Sequence, residues 1–279
     1  MSLKRFNAID IIHNRFDIAQ PHSAPEQVKI SSFYGENVFN DETMKKYLPE
    51  AAYFSVKASI QTGSNLNKDV AGVVAEAMKK WAMEKGATHY AHWFQPLTGK
   101  TAEKHDSFFT ITPDGKAIEE FGSNELAQQE PDGSSFPGGG LRTTFEARGY
   151  TSWDPSSPAF ILEVGNGRTL CIPTIFVTYS GDSLDYKLPL LKSINFIENA
   201  ALNVCKMFDP EVERIHITLG WEQEYFLIDE SFLLARPDLM FTGRTLLGKH
   251  SQKGQQLEDH YFGSIPERAF NYMRDLETE

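Results

Sequence analysis

The stretch that most restricts how this chain can fold is Gly220-Trp221-Glu222-Gln223-Glu224-Tyr225-Phe226-Leu227-Ile228-Asp229. It reads as a strand, and period-two geometry places Glu222, Glu224, Phe226 and Ile228 on one face and Gln223, Tyr225 and Leu227 on the other. Neither is a solvent face. The Cα atoms of Glu222 and Glu224 on such a strand would lie roughly 6.5–7 Å apart. Two carboxylates at the mouth of a strand that is apolar on both sides are costly to desolvate unless a cation or hydrogen-bond donors meet them. Oxygen ligands of this kind suit magnesium or manganese. Spacing alone leaves two readings open: a divalent-metal pair, or two edge-strand acids in water.

The residues leading into this stretch also carry pattern. Val212, Arg214 and His216 alternate with Ile215, Ile217 and Leu219, which predicts a strand running directly into Gly220. Before it, Leu188, Leu191, Ile194, Ile197, Ala201 and Val204 recur at helical spacing, predicting a helix of roughly twenty residues that stops at Asp209-Pro210. An earlier helix is predicted over Asn67 to Lys85, where Val70, Val73, Val74, Ala77, Met78 and Trp81 form an apolar stripe. Asn67 can cap its start and Gly86 can end it.

Between these helices the chain reads as strands. THYAHWFQPL and KHDSFFTI predict a hairpin followed by the turn Pro113-Asp114-Gly115. AFILEV and CIPTIFVTYS predict a second hairpin across Gly165-Asn166-Gly167. His89, His92 and His105 lie on the first hairpin, but His89 and His92 point to opposite faces and neither has zinc-like spacing to a cysteine, so structural roles are expected. Near the amino terminus the signals are a turn at Gly35-Glu36-Asn37 and a short helix after Asp41. Near the other end, Ser264-Ile265-Pro266-Glu267 has the form of a capping box for a helix that carries Phe270, Met273 and Leu276.

Composition narrows the function classes. A net charge of −11 disfavours nucleic acid and anionic membranes as partners, because affinity for either rests on clustered Lys and Arg. Cys171 and Cys205 make no disulfide framework, the first ten residues lack the apolar segment of a signal peptide, and no apolar run approaches 18 residues. Small molecules and other proteins remain as partners, and a cytoplasmic protein is expected. The loop PDGSSFPGGG (131–140) lacks the Gly-Lys-Ser/Thr ending that a phosphate-cradling loop needs.

Several segments together resemble the type III branch of the glutamine synthetase family. They are HYAHWFQPLTGKTAEKHDSF (89–108), PDGSSFPGGGLRTTFEARGYTSWDPSSPAF (131–160), WEQEYFLID (221–229), ARPDLMFTGRTLLG (235–248) and DHYFGSIP (259–266), in the family's order. The resemblance implies an α/β fold: an antiparallel β-grasp domain followed by a partial glutamine-synthetase catalytic domain. The corresponding divisions are an amino-terminal extension and helix over 1–86, the β-grasp domain over 87–181 and the start of the catalytic domain over 182–279. It also implies an ATP-dependent glutamate–ammonia ligase that works through γ-glutamyl phosphate, in hexameric rings stacked in pairs. Glu222 and Glu224 would be ligands for Mg2+ or Mn2+. Asp132 would be the aspartate of the Asp-Gly-Ser-Ser loop, which reaches a neighbouring subunit's active site, binds ammonium and draws a proton from it.

The family's second carboxylate pair, metal histidine, nucleotide-contacting residues and phosphate-binding arginines are expected beyond the helix around 267–279. The resemblance therefore implies the amino-terminal portion of the enzyme, inactive alone. The competing reading is a non-catalytic truncated paralogue acting as a binding or assembly module. A third is a γ-glutamyl ligase using another amine, which the presence of Asp132 disfavours.

Overall fold

The computed structural model describes residues 3–13, 29–63, 66–94, 105–127, 148–220, 227–228, 230–242 and 264–278. Its helices and strands, in chain order, are α1 (Leu3–His13), α2 (Asp41–Tyr47), α3 (Glu50–Thr62), α4 (Lys68–Glu84), β1 (His89–Trp93), β2 (His105–Ser107), β3 (Phe109–Ile111), β4 (Ala117–Glu119), α5 (Ser123–Ala127), β5 (Gly149–Trp153), β6 (Phe160–Val164), β7 (Gly167–Thr178), α6 (Lys187–Cys205), α7 (Glu230–Ala235), α8 (Pro237–Thr242) and α9 (Glu267–Thr278). The fold is mixed α/β. The chain divides into two compact units, residues 33–218 and residues 1–32 with 219–279.

In the larger unit everything is arranged around β7, whose twelve residues serve three partners in turn. On one edge β1 runs parallel to it, from His89 opposite Thr169 to Trp93 opposite Pro173, and β2 extends the sheet antiparallel to β1. On the other edge β6 pairs with its first half through the Gly165–Gly167 turn, and β5 pairs with its second half from Thr174 to Thr178. Pro173 falls at the handover between those two partners. It has no N–H to offer and accepts through its carbonyl from Asp154 N at 3.0 Å.

Gly149 opens β5 opposite Thr178 because nothing larger fits there: a Cβ at that position would stand 1.9 Å from the Val177 carbonyl oxygen. The chain before α2 joins the same sheet, with Phe39 N donating to Ala159 O and Ile161 N donating to Asn37 O, both at 2.8 Å.

Helix α4 covers the sheet and is closed at both ends. The Asn67 side chain accepts from Asp69 N. At the far end Ala87 N returns to Ala82 O and Gly86 N to Met83 O, both at 2.9 Å, with Gly86 left-handed at φ 87°. This pair of bonds satisfies the last carbonyls and needs a residue without a Cβ penalty at Gly86. The buried side of α4 is Ala71, Val74, Ala75, Ala77, Met78, Trp81 and Ala82, whereas Val73 from the expected stripe faces solvent. Phe39, Val56, Tyr90, Phe108, Phe121, Leu126, Leu170 and Ile172 complete that core. Each such large side chain contributes about 1.5–3 kcal/mol of burial.

Two expected strands come out differently. KHDSFFTI is not one strand but two, broken at Phe108, which turns inward to full burial and donates its N–H to Thr88 O at 3.1 Å. As a result β2 pairs with β1, while β3 leaves the sheet and pairs with β4 across the Pro113–Gly115 turn. Residues 212–220 form no strand. Their alternation is real, but among the described residues no neighbouring strand offers its N–H and C=O groups, and without a partner no ladder forms. Gly220, Leu227 and Ile228, the described part of the acidic stretch, likewise lie outside any strand, and Leu227 and Ile228 are exposed.

The described residues of the smaller unit are mainly helical. α1 packs on α7, Ala8 is fully buried, and Arg236 grips Asp238 in the first turn of α8 with two hydrogen bonds of 2.9 and 2.6 Å. Among the described residues no helix is long and apolar enough to cross a membrane.

Candidate functional site

Asp132, Glu222 and Glu224 all lie outside the described residues, and so does the Asp-Gly-Ser-Ser loop around Asp132. The structure does show what holds the ends of these segments. Upstream of the loop, Gly122 N donates to Glu125 Oε2 at 2.8 Å and Leu126 N to Gly122 O at 3.0 Å, which closes the short helix α5 on itself. His92 Nε2 meets the Glu125 carbonyl at 2.7 Å, so this buried histidine ties α5 to the sheet. That is the structural role expected of it. His89, exposed on the opposite face, has its ring nitrogen Nδ1 within 2.8 Å of the neighbouring Thr88 Oγ1. Downstream of the loop the chain enters β5 at the tightly fitted Gly149.

The approach to the acidic stretch starts from a polar knot between β5, β7 and α6. Asp154, 6% exposed, accepts from Ser156 N and Oγ and from Ser157 Oγ. The oxygen that accepts from Ser157, Oδ2, also lies 3.3 Å from Lys187 Nζ, which donates to Ser157 Oγ at 2.7 Å. Asp185, 2% exposed, takes Phe176 N at 2.9 Å with one oxygen, and Lys187 N and Leu188 N at 2.8 and 3.0 Å with the other. One carboxylate thus caps α6 and bonds the sheet at once, satisfying donors that burial would otherwise leave unpaired. Both aspartates were available in the sequence as turn and cap signals: Asp154 precedes a Pro-Ser-Ser-Pro turn and Asp185 stands two residues before α6. From α6 the chain returns along 212–218, where Arg214 Nε pairs with Glu198 Oε1 at 3.0 Å by charge rather than by an aligned hydrogen bond.

Among the described residues no three His, Cys, Asp or Glu side chains converge as a metal would require. The fit to a metal therefore rests on donor chemistry. Glu222 and Glu224 are hard oxygen donors, which match magnesium or manganese and not the softer ions.

Comparison with known proteins bears directly on this arrangement. The family profile described as glutamine synthetase type III N terminal matches residues 30–193, a span that includes Asp132 and the Asp154–Lys187 knot. The chain is 51% identical over 281 residues to a glutamine synthetase of Bacteroides fragilis (strain YCH46), covering 100% of this chain and 37% of that protein. It is 45% identical over 280 residues to a type-3 glutamine synthetase of Dictyostelium discoideum, covering 99% of this chain and 38% of that protein. A glutamine synthetase of Butyrivibrio fibrisolvens is 35% identical over 262 residues. The chain spans little more than a third of the length of the curated relatives it matches, and it belongs to the type III glutamine synthetase family, whose amino-terminal portion it represents.

Proposed function

We propose that this chain is the amino-terminal part of an ATP-dependent glutamate–ammonia ligase, with the sheet around β7 serving as its β-grasp domain and the region from α6 onward as the start of its catalytic domain. The observation that carries this reading is similarity to glutamine synthetases over the whole chain, including the Glu222/Glu224 stretch that the family profile does not reach. Glutamate, ammonium and ATP are the substrates of such an enzyme, and the active unit is a cytoplasmic oligomer of stacked hexameric rings.

In this reading Glu222 and Glu224 hold Mg2+ or Mn2+, and the bound ion supplies charge neutralisation during phosphoryl transfer. Asp132 offers a carboxylate to ammonium and accepts one of its protons. The ammonia so formed attacks the carbonyl carbon of γ-glutamyl phosphate, the C–N bond forms as the acyl C–O bond breaks, and inorganic phosphate leaves. A neutral amide at 132 could neither balance the cation nor take the proton. The donors this chain supplies are only the start of a two-metal set, so it has no turnover by itself.

The test is γ-glutamyl hydroxamate formation with manganese and nucleotide. The purified chain is expected to give no more product than its Glu222→Gln/Glu224→Gln variant, and product above that background would overturn the fragment reading. In a full-length ligase carrying this region, Glu224→Gln should weaken manganese binding, read by calorimetry, together with activity. Asp132→Asn should raise the ammonium KM or lower kcat with ATP binding little changed, and equal loss of ATP binding would make the loop structural instead.

A further inference from the structure

The larger unit holds a half-open pocket of about 230 Å3 between α2, α3, α4 and the turn that follows β5. It uses none of the residues assigned above to ligase chemistry. Its walls are mainly apolar and include Phe39, Met44, Ile60 and Trp153, while Asp41 and Lys57 stand among the lining residues as an ion pair of 2.9 Å. A dry cavity of about 150 Å3 accommodates benzene. One of 230 Å3 has room for an aromatic ring or a branched alkyl body together with a small head group.

The charges beside the cavity are unequal. Asp41 is shared by two ammonium groups, Lys45 at 2.7 Å and Lys57 at 2.9 Å, and also accepts from Tyr53 OH at 2.9 Å. These three partners hold its carboxyl well below the usual carboxylate range. Lys57 can therefore turn to a second anion without leaving Asp41 bare, since Lys45 and Tyr53 remain. This group has a cation to spare, next to an apolar space. One further donor is unused: Trp153 Nε1 is buried and, among the described residues, has no acceptor.

From the apolar walls, the volume and the surplus ammonium, we propose that this cavity binds a small monocarboxylate with an aromatic or branched apolar body, its carboxylate taken by Lys57. Charge-assisted pairing at the edge of an apolar pocket gives such a ligand orientation, and burial of its body gives affinity. The site needs no metal or nucleotide.

Calorimetric titration of the 279-residue chain with phenylacetate, and with phenylacetamide as the neutral isostere, tests the charge requirement. The Trp153 indole N–H resonance is followed in parallel by NMR. Phenylacetate should bind about tenfold more tightly than the amide and should shift the Trp153 signal. Lys57→Gln lies in a partly exposed pair and should leave the melting temperature nearly unchanged, while bringing the two ligands within about twofold of each other. Ile60→Trp, which fills the space, should abolish binding of both. The proposal is overturned by equal affinity for acid and amide in the unsubstituted chain, by undiminished binding in folded Ile60→Trp, or by no binding of phenylacetate at millimolar concentration.

Discussion

Helix α4 buries seven of its residues, whereas none of the 19 residues of α6 is buried. Both carry an apolar repeat at helical spacing. In α4 that repeat meets the sheet, and Trp81 packs against Phe39 with ring centroids 5.3 Å apart. In α6 the late turns leave Phe196 78% and Ile197 53% exposed, and the residues just past its end leave Phe208 85% exposed. Periodicity shows that a helix has an apolar side, but it does not show that this unit supplies the surface to cover it. The most deeply buried groups that attach α6 to this unit are polar and sit at its first turn, where Asp185 and the Asp154–Lys187 pair engage the sheet, while its leucines there are only half-buried.

Substitutions can break this contrast, and the largest effect is expected in α4. Trp81→Ala should cost about 3–5 kcal/mol in a denaturant titration, as truncation of a fully enclosed aromatic does. A cost below about 1 kcal/mol would mean the α4 core is not the stabilising one. Gly149→Ala should follow at about 2–3 kcal/mol, because its Cβ meets backbone at 1.9 Å and backbone cannot rotate away. The readout is loss of amide-exchange protection in β5.

Asp185→Ala should cost about 1–3 kcal/mol, since it strips the acceptor from three backbone N–H groups. Protection should fall first in the opening turn of α6. By contrast, Ile197→Ala should change stability by no more than about 0.5 kcal/mol. If it costs as much as Asp185→Ala, the late turns of α6 are buried in solution and the contrast fails.

The smallest effect concerns acid. The folded-state pKa of Asp41 is depressed by Lys45, Lys57 and Tyr53, so its stabilising contribution is present above the ordinary carboxylate value of 3.8 and is lost as pH falls below it. Asp41 is 43% exposed at its side chain, which screens the effect. Asp41→Asn should slightly flatten the loss of melting temperature below pH 4 and leave the profile above pH 5 unchanged. A changed slope near neutrality would exclude this assignment.

These comparisons also show what could be read from the residues. The caps of α4, the Gly165–Gly167 hairpin and α6 were legible because each is signalled within a few residues of itself. Helix α3 was not anticipated, although Pro49 and Gly63 bracket it, because its buried positions are Ala52, Val56 and Ser59, while Phe54 points outward. A small buried face leaves little apolar signal. The strand expected over 212–219 failed for the opposite reason: its alternation is clear, but a strand depends on a partner that its own residues do not specify. In the candidate site, Glu222 and Glu224 were legible from their spacing and Asp132 only from the resemblance of its loop, and all three lie outside the described residues.

The pairing of β1 with β7 has a consequence for synthesis. Eighty positions separate His89 from Thr169, so on a ribosome adding about 5–20 residues per second β1 emerges several seconds before its parallel partner exists. Strand β2 follows much sooner and can occupy one side of β1, but the other side must wait with its backbone groups unpaired. The β6–β7 hairpin, closed by a short turn, forms in microseconds once translated. Assembly of this sheet in the cell is therefore gated by the arrival of residues 169–173, and Tyr90 and Ala91, fully or nearly buried at the end, are the residues most in need of protection until then.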